Sequence, residues 1–263
     1  GNIDPEVISK VLIPKIIKKK YPGLDDDELE SLRQHVVLDS AIKNGEIKET
    51  GDKRFIRMAG QFVNIDELQL LASKRISKQL GCESAVITAS SSSALTESVA
   101  ATITGKDLQK IYKLPNTQGL KNKVLIQQGH LTNYGAEVGQ AIRLSGAKIL
   151  KCGSKLSCNN NEVINKIKKN INSIACAMYV VSHHCSDYNS LSIKAFIKIC
   201  KRFKIPLIVD AASEEYMEDF FIVGADLAIF SSHKFMGSLT AGIVAGKKKY
   251  IRNVYLQNLG IGR

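Results

Sequence analysis

The chain contains no tryptophan, and aromatic residues make up only 6% of its 263 positions. Proteins that bind single-stranded nucleic acid interleave aromatic side chains with basic ones, so that bases can stack. Here the lysine runs KIIKKK, KIKKN and GKKKY stand without aromatic partners between them, and RNA binding is not expected from them. No apolar run approaches the ~18 residues of a membrane span. The opening GNIDPEVISKVL has no basic flank followed by an apolar block, so no secretory leader is expected. The six cysteines, at 82, 152, 158, 176, 185 and 200, form no C-x-x-C and have irregular spacings. Cys82, Cys176 and Cys200 stand in apolar surroundings that suit buried free thiols. A reducing cytosol is expected, with neither a zinc site nor a disulfide framework.

What the chain has in excess is positive charge, +12 overall. Two readings fit. Most of the lysines fall at helix ends or between elements, where they solvate the surface. The same excess attracts anions such as phosphorylated metabolites or nucleic acid.

Residues 1–52 read as a helical segment, with PEVISKVLIPKIIKKKYPG and DDDELESLRQHVVLDSAIKNG as amphipathic stretches closed by Pro-Gly and Asn-Gly. Residues 53–263 read as one α/β domain. NIDELQLLASKRISKQLG is an amphipathic helix stopped at Gly81. Beyond it, the short apolar runs SAVITA, KVLIQQG, AKILKCG, IACAMYVVS, PLIVDAA and DLAIFSS alternate with helical patterns, and TAGIVAG follows. Such alternation predicts a mainly parallel seven-stranded sheet covered on both faces. Ligands of these sheets sit at the carboxyl ends of the strands.

The residues able to do chemistry collect at those ends. Asp210 ends IPLIVD, and Ala212 follows it. Ser231, Ser232, His233 and Lys234 end the next strand, DLAIFSS. A carboxylate and an amine on consecutive strands suit pyridoxal 5'-phosphate. The Lys234 amine condenses with the cofactor aldehyde, and Asp210 keeps the pyridine nitrogen protonated so that the ring accepts electrons. Burial is expected to lower the pKa of Lys234 and make it a usable base. The turn Thr88-Ala-Ser-Ser-Ser-Ser93 opens a helix with small hydroxyl residues. It suits a phosphate on free backbone amides, although ordinary N-capping would use the same residues. In Gln128-Gly-His130-Leu-Thr-Asn-Tyr134, His130 or Tyr134 is placed to stack on the ring. His183 and His184 end another strand, and one of them is expected to reach the cofactor hydroxyl or the substrate. Neighbours on an extended backbone point opposite ways, so the pair is not expected to hold a metal ion.

These segments also carry a family resemblance. FVNIDELQLLAS, ITASSSSALTESVAA, LPNT, VLIQQGHLTNYGAEVGQAIRLSGAKI, VVSHHC, LIVDAASEE and QNLGIGR resemble the selenocysteine-synthase-like family of fold-type I pyridoxal-phosphate enzymes, and within it the D-glucosaminate-6-phosphate ammonia-lyase group. The likeness runs from about Phe62 to Arg263. It implies Lys234 as the lysine that attaches the cofactor and Asp210 as the pyridine partner. It implies Ser91, Ser92 and Ser93 in the phosphate site, His130 near the ring and Thr240 as a phosphate contact across a subunit boundary. Ser231 and His233 resemble the S-x-H-K turn of the cysteine-desulfurase group, where such residues contact the phosphate.

The resemblance further implies a homodimer or higher oligomer and a large domain without its small C-terminal partner. Its implied reaction is removal of water and ammonia from a small anionic amino sugar acid. Aminotransferase or selenium or sulfur transfer, and a non-catalytic or RNA-binding role, are the alternatives.

Overall fold

The computed structural model describes residues 55–58, 61–185, 189–214, 216–217, 219–235 and 239–262. The helices expected in residues 1–52, and the boundary after residue 52, lie outside the described residues. The chain divides into two compact units, Gly1–Leu68 and Gln69–Arg263. In the first, β1 (Phe55–Met58) and β2 (Gln61–Asn64) pair antiparallel. Helix α1 (Ile65–Leu80) starts where the Asn64 side chain accepts the Asp66 N–H at 2.9 Å.

The second unit holds the seven strands. They are β3 (Ser84–Thr88), β4 (Lys123–Gln127), β5 (Lys148–Cys152), β6 (Ile174–Val180), β7 (Leu207–Asp210), β8 (Leu227–Ser231) and β9 (Gly242–Gly246). Their order across the sheet is β3-β9-β8-β7-β6-β4-β5. Strands β5, β4, β6, β7 and β8 pair in parallel, whereas β9 is antiparallel to both β8 and β3. The mainly parallel sheet is therefore present, with one reversed strand inserted.

The helices of this unit are α2 (Ser91–Thr104), α3 (Leu108–Lys113), α4 (Val138–Leu144), α5 (Asn160–Asn170), α6 (Ile193–Arg202), α7 (Asp219–Val223), α8 (Ser232–Phe235) and α9 (Lys248–Leu256). Successive strand residues face opposite sides. Leu125, Ala177, Tyr179, Leu207 and Val209 bury themselves with Val163 and Ile167 of α5 and Phe196 and Ile197 of α6. Val124, Ile126, Cys176, Met178, Ile208 and Ile229 pack with Leu95 and Val99 of α2, Ile142 of α4 and Val254 of α9. Both faces are dry, which explains why the strands read as continuous apolar runs. The central strands thus end, inside the sheet, at positions shielded on both sides. Among the described residues no helix is long and apolar enough to cross a membrane.

Candidate active site

Asp210 is the last residue of β7, paired across to Ile229 of β8 in the middle of the sheet. Its neighbours fix the backbone on both sides: Val181 N–H donates to the Asp210 carbonyl at 2.8 Å, and Ala211 N–H to the Ile229 carbonyl at 2.9 Å. The side chain is 4% exposed. Burial raises its pKa to about 6, against the opposing pull of the Ala212 N–H, which donates to Oδ1 at 3.2 Å, and of the Lys234 charge. A carboxylate held there ionises more readily when a cation is brought beside it.

Helix α8 begins directly after β8 and carries Lys234 to the same place. Asp210 and Lys234 line one cavity of about 150 Å³ together with Ser91, Ser92, Tyr134, Ser182, Ala212 and Ser213. Lys234 is exposed, which corrects the burial expected of it. Its Nζ donates to the Ser213 hydroxyl, which fixes the amine at the cavity wall. Ser213 was not singled out from the sequence; the signal that could have found it is its position three residues beyond Asp210.

The opposite wall is the start of α2. Ser90 is its N-cap, in a capping box: Ser90 Oγ accepts the Ser93 N–H at 3.1 Å, and Ser93 Oγ accepts the Ser90 N–H at 2.8 Å. The Ser93 hydroxyl also donates to the Ser90 carbonyl at 2.8 Å. Ser93 is therefore occupied in closing the helix and does not line the cavity, whereas Ser91 and Ser92 do. The first amides of a helix have no partner within it, so those of Ser91 and Ser92 point an anion-binding end at the cavity. The turn lies tight against β9. A Cβ on Gly242 would stand 2.3 Å from the Ser90 carbonyl oxygen, so only glycine lets the turn come this close.

Of the other expected residues, Tyr134 and Ala212 line this cavity and the rest do not. His130 ends a 3₁₀ turn (Gln128–His130) and is 1% exposed. Its Nδ1 accepts the Val180 N–H at 3.1 Å, Nε2 lies 3.4 Å from the Gln127 amide, and the ring meets Tyr179 edge-on. Burial lowers its pKa to about 4, so the ring is neutral. Tyr134, the other residue expected near the ring, does line the cavity. His183 and His184 sit on a 3₁₀ turn (His183–Cys185), exposed, with ring centroids 4.0 Å apart. The expectation that they point opposite ways is corrected by this turn, because opposition holds only on extended backbone. No group of three or more metal-ligating side chains occurs among the described residues. Ser231 is buried, its hydroxyl 3.0 Å from His233 Nδ1, and His233 and Thr240 are exposed. None of these three lines the cavity.

A buried acid awaiting a cation, a tethered amine and a helix start awaiting an anion fit pyridoxal phosphate as a set. Fold and site together define the fold-type I class of pyridoxal 5'-phosphate proteins. Residues 116–261 match the family described as Aminotransferase class-V, and the chain belongs to that family; its cofactor is pyridoxal 5'-phosphate.

The chain is 35% identical over 207 residues to D-glucosaminate-6-phosphate ammonia lyase of Salmonella typhimurium, covering 79% of this chain and 55% of the relative. A solved structure of D-glucosaminate-6-phosphate ammonia-lyase superposes with a TM-score of 0.75 at 35% identity, over 78% of this chain and 55% of that one. L-seryl-tRNA(Sec) selenium transferase of Mannheimia succiniciproducens is 25% identical over 185 residues, 61% of this chain and 38% of the relative. The chain therefore spans about half the length, or less, of these relatives.

Proposed function

We propose that this chain carries the catalytic domain of a lyase that removes water and ammonia from a phosphorylated 2-amino sugar acid resembling D-glucosaminate 6-phosphate, leaving a 2-keto-3-deoxy acid. The observation that carries the reading is the convergence of Asp210 and Lys234 on one cavity faced by the start of α2. The similarity to the ammonia lyase supports the substrate class. Bound there, the cofactor supplies an electron sink for negative charge on the substrate's α-carbon.

Each residue then has a task. The Ser91 and Ser92 amides and hydroxyls hold the phosphate. Asp210 keeps a proton on the ring nitrogen, its ionised form favoured by that positive charge. Lys234 would attach the cofactor and, as a free amine, would take the substrate's α-proton at Nζ. Ser213 holds that amine in place beforehand. Tyr134 and Ser182 line the same cavity, where Tyr134 would stack on the ring and Ser182 would contact the cofactor or the substrate. His130, neutral and bonded at Nδ1, braces the end of β6. We place Thr240 as a phosphate contact to the neighbouring subunit of a homodimer, and the protein in a reducing cytosol, which its unpaired thiols support.

The test is the visible absorbance of purified protein given pyridoxal phosphate. The band is expected in the native chain and absent in Lys234→Ala, together with loss of ammonia release from the amino sugar acid. No band in either protein would sink the cofactor assignment. A second reading, selenium or sulfur transfer, is supported by the likeness to the selenium transferase. Ammonia released without any acceptor favours the lyase; turnover only with an acceptor favours transfer.

A further inference from the structure

Among the described residues, three charged side chains line the cavity: Asp210, Lys234 and Glu137. A bound cofactor engages the first two, so Glu137 is the charge left to meet a substrate. A bare carboxylate there would repel an anionic sugar acid. It is not bare, because Arg143 Nη2 donates to Glu137 Oε2 at 3.2 Å.

Helix α4 brings the two together. Glu137 is its N-cap, and Arg143 lies in its last turn. Side chains on a helix lean toward its N-terminus, so the Arg143 arm runs back along α4 to the cavity wall. Gly139, in the first turn, leaves room for it. A Cβ on Gly139 would stand 3.1 Å from Arg143 Nη1 and 3.1 Å from Ile149 Cδ1. Glycine is a poor helix former; here the missing side chain is the seat of the guanidinium. The two charged side chains are 54% and 56% exposed, and an ion pair that open to water contributes little stability. It is correspondingly easy to exchange.

We propose that Arg143 binds the phosphate of the substrate at the cavity mouth and so sets a preference for phosphorylated over unphosphorylated sugar acids. The substrate class rests on the lyase reading above. A guanidinium presents five N–H donors, and the Glu137 carboxylate takes one. The remaining fork matches two phosphate oxygens in parallel bonds. A phosphate monoester near neutral pH carries more negative charge than a carboxylate, so it competes well for the same cation. Glu137 is the positioning residue: it holds the guanidinium beside the cavity until the phosphate arrives.

The experiment is isothermal titration calorimetry of the cofactor-loaded full chain with 6-phosphogluconate and with gluconate. Both ligands carry the carboxylate and hydroxyls of the sugar acid, and neither has an amine to eliminate, so binding is read without turnover. The native chain is expected to bind the phosphorylated ligand about tenfold more tightly. Arg143→Gln should bring the two ligands to within about twofold of each other. Gly139→Ala keeps both charges but crowds the guanidinium out of its seat, and should lose most of the preference. Lys110→Gln removes an exposed cation of the same kind, paired with Asp107 on α3 at 3.0 Å, and should change nothing. A native chain without the preference, a preference surviving in Arg143→Gln, or one lost equally in Lys110→Gln would overturn the proposal. If Arg143 governs the preference but no ammonia is ever released, the lyase reading falls and this one stands. Where ammonia is released, Arg143→Gln should raise KM about tenfold for the phosphorylated substrate and leave kcat within about twofold; a fall in kcat at unchanged KM would count against a binding role. Should Arg143→Gln fail to fold, Gly139→Ala decides the matter.

Discussion

Helix α2 borders two polar regions, one at its start and one at its middle, and they differ in kind. At its start, the Ser91 and Ser92 turn faces a cavity holding Asp210, whose carboxyl is raised to about 6. Farther along, Glu97 is 4% exposed, and burial raises its carboxyl to about 8. Glu97 borders Gly262, and burial alone accounts for the rise. Nearby in sequence Ser98 Oγ is buried without a partner, and Gln257 Oε1, on the turn that follows α9, is likewise unpartnered. Asp210 has a space beside it, an amide on one oxygen and a lysine charge; Glu97 has only packing. A perturbed acid is thus common to both places, and the cavity with its opposite charge is what separates a site from a burial cost.

The largest expected effect is at the first region. Asp210→Asn removes the charge that holds the ring nitrogen proton, and turnover is expected to fall on the order of 10²–10³-fold, as for loss of a preorganised electrostatic group. The sign of the pH dependence follows. In the cofactor-free protein Asp210 is protonated below about pH 6. A cationic ring nitrogen favours the ionised form, so binding releases a proton there. Affinity for the cofactor should therefore weaken as pH drops below that value, by at most about tenfold per unit for one proton. Cofactor titrations at stepped pH check this, and in Asp210→Asn the dependence should vanish. An unchanged slope would mean that Asp210 is as idle as Glu97.

Much of this contrast could be read before any coordinates. The apolar runs gave all seven strands of the main sheet, because a strand buried on both faces needs no alternation. They did not give the direction of β9, since an apolar run carries no sign. Asp210 and Lys234 were legible because each ends such a run. The roles within Ser90 to Ser93 were not: four serines in a row look alike, and only helix geometry sends Ser90 and Ser93 to the capping box and Ser91 and Ser92 to the cavity. The bend at His183 and His184 was hidden for a similar reason, since the turn beyond β6 leaves no mark in composition. Glu97 stood in plain view inside ALTESVAA, yet nothing in that string tells a core acid from a surface one.

The next effect belongs to the second region. Glu97→Gln should leave turnover within about twofold and change the stability profile instead. With its folded pKa of about 8 above the ordinary carboxylate value, Glu97 costs nothing at low pH, where it is protonated in both states. Stability is then lost as pH rises through the interval up to about 8, at no more than about 1.4 kcal/mol per unit. Thermal unfolding from pH 4 to 8 should show that decline in the native chain and a flatter line in the variant. A parallel pair of lines would show that the carboxylate finds a partner on ionising.

The smallest effects divide the four serines themselves. Ser90→Ala and Ser93→Ala each break the capping box and should lower stability by about 1 kcal/mol, with the loss read in denaturant midpoints. Ser91→Ala and Ser92→Ala leave the cap intact and should show little there. Their cost should appear as weaker pyridoxal-phosphate binding, modest because the backbone amides that face the phosphate remain. The two pairs lie within one turn, so any general loosening of α2 would move all four together. Only a hydroxyl's own partner can split them, and a pattern in which Ser93→Ala weakens the cofactor more than Ser92→Ala would mean that the capping box opens when the phosphate arrives.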